Sequence, residues 1–69
     1  MQGTVKSLVL NKGFGFITPA GSKLGDVFFH VRDLSPDLAF DETLLERRVE
    51  FQATETDKGT RAENIHAAN

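Results

Sequence analysis

Apolar residues in this chain recur mostly at every second position, the spacing of a strand with one buried face. Residues 3–10 are rich in β-formers: Thr4, Val5, Leu8, Val9 and Leu10. Asn11 and Lys12 then offer a turn. Lys12-Gly13-Phe14-Gly15-Phe16-Ile17 alternates with period two. As a strand it puts Lys12, Phe14 and Phe16 on one face and Gly13, Gly15 and Ile17 on the other. Residues 18–25, with Pro19, Gly21, Ser22 and Gly25, read as a loop. Residues 26–31 predict a third strand, with Val27, Phe29 and Val31 on one face and Phe28 and His30 on the other.

The pattern then weakens. Residues 34–48 read as a long connection with one short turn of helix. Ser35 would be its N-cap and Pro36 would open its first turn. Leu34, Leu38, Leu45 and Val49 would form a patchy helical stripe. Residues 49–54 alternate cleanly as a half-buried strand. Asp57-Lys58-Gly59 is a turn signal. Residues 60–67 close the chain as a last strand, where Ala62 and Ile65 break the alternation and predict a bulge or an edge. The sum is all-β: five short strands, which in so short a chain favour a closed or nearly closed barrel over a sandwich. Closure also removes sheet edges that a small sheet tolerates badly.

Length and composition narrow the function. The chain has 69 residues, 39% hydrophobic and 26% charged. That is one small globular domain, too small for a deep enclosed active site. It has no Cys, hence no disulfide, thiolate ligand or Cys nucleophile. No signal pattern opens the sequence and no apolar run approaches bilayer length, so a cytoplasmic protein without membrane contact is expected. The net charge is −2. Residues 1–32 carry four basic and one acidic residue, and residues 33–69 four basic and nine acidic. Overall acidity argues against binding polyanions by bulk charge, and leaves room for a local basic patch.

The aromatic residues are the most informative feature. Trp and Tyr are absent, and all aromatic area lies in six Phe. A small barrel has one inside, which Val5, Ile17, Val27, Phe29, Val31, Val49 and Phe51 can fill. Phe14, Phe16 and Phe28 are then left over, with His30 in step with Phe28. On neighbouring strands these four rings would tile one outer surface, with Lys6 and Lys12 at its edge. Rings two residues apart lie roughly 6–7 Å apart, a usable step for successive unstacked bases.

Gly3-Thr4-Val5-Lys6, then Lys12-Gly13-Phe14-Gly15-Phe16-Ile17, then Asp26-Val27-Phe28-Phe29-His30 resembles the cold-shock domain family. The last two runs resemble its ribonucleoprotein-type motifs in the family's order. Lys58-Gly59-Thr60-Arg61-Ala62-Glu63-Asn64-Ile65 resembles its closing turn and strand. The resemblance implies a five-stranded antiparallel oligonucleotide-binding-fold (OB) barrel that binds single-stranded RNA and DNA and acts as a nucleic-acid chaperone. It carries a binding role to Lys6, Lys12, Phe14, Phe16, Asp26, Phe28, His30, Phe40 and Lys58. Two departures stand out. Most bacterial members follow the first Lys with Trp-Phe-Asn, where this chain has Ser7-Leu8-Val9. The residue after His30 is often Phe in the family and is Val31 here.

Other readings have less support. An RNA-recognition motif shares Lys-Gly-Phe-Gly-Phe, but needs two helices and the opposite motif order. A protein-interaction module, with the acidic half or the aromatic patch as its working face, is the main rival. Enzyme signals are absent: His30 and His66 have no ligand-spaced partners, and Ser7, Ser22 and Ser35 lack a nucleophile-elbow context. No metal or cofactor is expected. The chain is expected to be a monomer, although short barrels with a long central connection can exchange strands and dimerise.

Overall fold

The computed structural model describes residues 1–21 and 25–68. Five strands form one sheet: β1 (Gln2–Val9), β2 (Phe14–Pro19), β3 (Val27–His30), β4 (Arg48–Thr56) and β5 (Gly59–Ala67). The sheet closes into a barrel in the order β1-β2-β3-β5-β4, with β4 returning to β1. Four of the five pairings are antiparallel, as expected. The exception is β3 with β5, which run parallel at Phe28 and Arg61. The long connection between β3 and β4 reverses the chain direction needed for that closure. Among the described residues no helix is long and apolar enough to cross a membrane.

The interior is built from Val5, Ile17, Val27, Phe29, Val49, Phe51, Ala62 and Ile65, with Leu38 and Leu44 from the connection. Val31, expected inside, is only half-buried. The β3 strand ends at His30, and Val31 opens a short 3-10 turn, Val31–Asp33. The connection carries a second 3-10 turn, Glu42–Leu44. Its N-cap is Asp41, whose Oδ1 accepts the Thr43 N–H at 2.9 Å. No helix starts at Ser35. The Ser35 hydroxyl pairs with the Asp37 carboxylate instead, a local bond that competes with helix formation. The expected helical stripe dissolves accordingly: Leu38 and Val49 are buried, and Leu45 is exposed.

Two irregularities set which side chains face out. In β1 the register shifts between Val5 and Ser7, so Lys6 and Ser7 together oppose Phe16. In β5 the register against β4 shifts between Glu63 and His66, where Asn64 takes φ of 52°. That extra residue brings Ala62 and Ile65 both inside despite their spacing of three, the bulge the sequence predicted. Strand β2 begins at Phe14 and not at Lys12. Gly13 sits in the preceding turn at φ of 76°, and its N–H and that of Lys12 both donate to the Val9 carbonyl, at 3.0 and 3.1 Å. Thr18 and Pro19 extend β2 into the predicted loop, whose residues 22–24 lie outside the described residues.

Candidate nucleic-acid interface

Strict alternation in β2 and β3 sorts their residues into two faces. Gly15, Ile17, Val27 and Phe29 are buried, while Phe14, Phe16, Phe28 and His30 are half-buried on the outer face. Cross-strand register puts Phe16 opposite Phe28 and Phe14 opposite His30. The three Phe rings form a triangle. Centroids are 6.1 Å apart for Phe14–Phe16, 5.6 Å for Phe14–Phe28 and 6.1 Å for Phe16–Phe28. Phe14 and Phe16 meet edge to face at 90°. The rings support one another in an arrangement aromatic pairs favour, while each keeps solvent-facing area.

The space beneath the patch is full. A Cβ on Gly15 would lie 2.6 Å from the Ser7 carbonyl oxygen and 2.9 Å from the Phe29 ring. The glycine lets β1 and the Phe29 ring close on β2 from inside. Its partner in the alternation, Gly13, serves the turn.

His30 is fixed by its neighbours. Its Nδ1 accepts the Arg32 N–H at 3.1 Å, and its own N–H donates to Asp33 Oδ2 at 3.1 Å. With Nδ1 an acceptor, the neutral ring carries its hydrogen on Nε2.

The cations frame the rings. Lys6 stands at the β1 bulge, Lys12 in the β1–β2 turn and Lys58 in the β4–β5 turn, all exposed. Lys58 lines a groove of about 400 Å³ with Phe16, Phe28, Thr56, Gly59 and Thr60. Asp26 is exposed at the start of β3 and accepts the Thr18 hydroxyl at 2.9 Å. Phe40 does not join the triangle. Its ring packs edge-on against the core ring of Phe29 at 6.4 Å, leaving it half-buried at the barrel wall.

Two neighbours of the patch escaped the sequence reading. Val9 pairs with Phe14 and adds apolar area on the same face. Arg61 pairs with Phe28 from β5 and is held by Asp33 in the one ion pair among the described residues. Neither position is legible without the β1 bulge and the parallel β3–β5 contact. The outer face of β4 and β5 is different in kind. It carries polar cross-strand bonds, Thr54 to Glu63 at 2.6 Å and Asn64 to Gln52 at 2.9 Å. Another groove, between Arg32, Asp33, Glu63 and His66, mixes both charges and has no Phe in its lining.

Residues 1–68 match the family described as the 'Cold-shock' DNA-binding domain. The chain belongs to that family. It is 39% identical to a cold shock-like protein of Aquifex aeolicus (strain VF5) over 64 residues, 93% of this chain and 89% of that protein. It is equally similar to the cold shock protein CspA of Staphylococcus aureus (strain USA300), covering 93% of this chain and 92% of that one. Among solved structures it resembles drosophila Unr CSD456, with a TM-score of 0.75, 26% identity, 99% of this chain and 26% of that longer chain. Cold-shock domains are nucleic-acid-binding proteins. In this cold-shock domain Ser7 stands on the outer face opposite Phe16.

Proposed function

We propose that this cold-shock domain binds single-stranded RNA and DNA by stacking successive bases on Phe14, Phe16, Phe28 and His30. Lys6, Lys12 and Lys58 line the path of the phosphates. Asp26 offers a carboxylate to base N–H groups at the rim, and Phe40 adds its exposed half at the barrel wall. The observation that carries this reading is the ring triangle itself. Three Phe share the outer face of a barrel whose interior is already filled by other residues. Exposed aromatic patches on small domains mark binding surfaces. Each stacked base contributes about 1–3 kcal/mol regardless of sequence.

Stacking requires unpaired bases, so bound protein withdraws single strands from duplex. A domain of net negative charge holds polyanions weakly outside its ring patch. Together these properties suit an RNA chaperone that melts weak structure without ATP and then lets go. The test is a titration of dye-labelled oligo-dT, mixed-sequence RNA and a duplex, followed by anisotropy. Saturable binding to both single strands with little for the duplex supports the reading. Unchanged melting of a weak RNA hairpin at saturating protein removes the chaperone role and leaves simple binding. Failure to bind any single strand reassigns the surface to a protein partner.

A further inference from the structure

The fold places Arg61 in register with a ring of the patch. Its Cα partner across the parallel pairing is Phe28. Both residues line a groove of about 430 Å³ together with Thr56, Asp57 and Lys58. The guanidinium does not float there. Nε donates to Asp33 Oδ2 at 3.2 Å, and Nη2 donates to Oδ1 at 3.2 Å and to Oδ2 at 3.1 Å. Asp33 is itself anchored, since Oδ2 also accepts the His30 N–H at 3.1 Å and its side chain is 10% exposed. The Arg61 side chain is 38% exposed, and its Nη1 has no partner among the described residues. A rigid fork thus shows its far edge to solvent beside Phe28.

One guanidinium edge is committed to a carboxylate, which holds the other edge in a fixed plane. A base stacked on Phe28 would project its own edge across the strand boundary toward Arg61. Guanine offers two adjacent acceptors there, O6 and N7. Adenine sets an amino donor beside N7 on that edge, whereas an unpaired cytosine offers two adjacent acceptors of its own, O2 and N3, on its pairing edge. Thymine and uracil present a single acceptor. We propose that Arg61, held in plane by Asp33, selects a base with two adjacent acceptors, guanine or cytosine, as the base stacked on Phe28. The inference rests on the stacking reading above and adds a sequence preference that stacking alone does not give.

The experiment walks a single dG, and in a second series a single dC, along an oligo-dT heptamer and measures affinity by anisotropy for the wild type and Arg61→Gln. One register should bind more tightly than oligo-dT by between about fivefold and a hundredfold, the range of a good two-point base contact. Arg61→Gln should abolish that gain and change oligo-dT little. Placing 7-deazaguanine at the same register removes the N7 acceptor with the protein unaltered, and should lose most of the gain. Equal weakening of every oligonucleotide in Arg61→Gln, with a shallower salt slope, would make Arg61 a phosphate contact and overturn the proposal. So would a flat profile along the heptamer in both series. Failure of all oligonucleotides to bind would instead overturn the stacking reading, and this inference with it.

Discussion

Ser7 and Phe16 face each other across β1 and β2, side by side on the outer surface. The bulge at Lys6 creates that pairing, and it leaves the Phe16 ring beside a hydroxymethyl group. A ring at position 7 would extend the aromatic patch onto β1. Ser7→Trp should therefore tighten oligo-dT binding by about 1–3 kcal/mol, the contribution of one stacking platform. Labelled-oligonucleotide titration measures it. The introduced Trp also supplies an intrinsic fluorophore, which should quench on binding.

Gly15 fills no ligand space, and its substitution should act on stability. A Cβ would meet the Ser7 carbonyl oxygen at 2.6 Å, and backbone cannot swing away as a side chain can. Gly15→Ala should destabilise the fold by about 1–3 kcal/mol, the usual range for overpacking. Urea unfolding followed by circular dichroism reads this.

Asp33 links three elements at one point. It accepts the His30 N–H at the end of β3, belongs to the 3-10 turn, and pairs with Arg61 on β5. Asp33→Ala leaves a half-buried N–H without its acceptor and releases the Arg61 fork. Because Arg61 is partly exposed, most of the loss should come from the backbone bond, about 1–2 kcal/mol in urea unfolding.

The second 3-10 turn should respond to acid. The Thr43 hydroxyl, and then its N–H, hold the Asp41 carboxyl below its ordinary value by bonding to the charged form. A folded pKa below the unfolded one adds stability that is complete at neutral pH. It is lost as pH falls through the folded value. Asp41→Asn keeps an N-cap acceptor and removes the titration. The urea midpoint of the wild type should fall more than that of Asp41→Asn between about pH 5 and about pH 2.

The strands were readable wherever alternation was strict. Residues 14–17 and 27–30 name their own faces, because a period of two with Phe against Gly or Val admits one sensible assignment. Phe14, Phe16, Phe28 and His30 accordingly come together as the sequence suggests. Bulges and turns are where the pattern failed. Gly13 looks like a strand residue until its positive φ is known, and Lys12 leaves the strand with it. The connection misled for another reason. Its Ser35-Pro36-Asp37 run has the composition of a helix start, but Ser35 spends its hydroxyl on Asp37. The apolar residues that follow, Leu38 and Leu44, are called individually into the core. Arg61 was invisible as a neighbour of Phe28, since parallel closure depends on how a poorly patterned connection returns.

The central claim is that the outer Phe rings carry binding. Its most direct test is anisotropy of dye-labelled oligo-dT against the wild type, Phe14→Ala and Phe28→Ala at two salt concentrations, each variant first shown folded by circular dichroism. Each substitution should weaken binding by about 1–3 kcal/mol. With Lys6, Lys12 and Lys58 on the proposed phosphate path, the wild type should give a log–log salt slope no steeper than about −2. Undiminished binding by folded Phe14→Ala and Phe28→Ala, with a steep salt slope, would mean that charge and not stacking holds the strand, and would contradict the account.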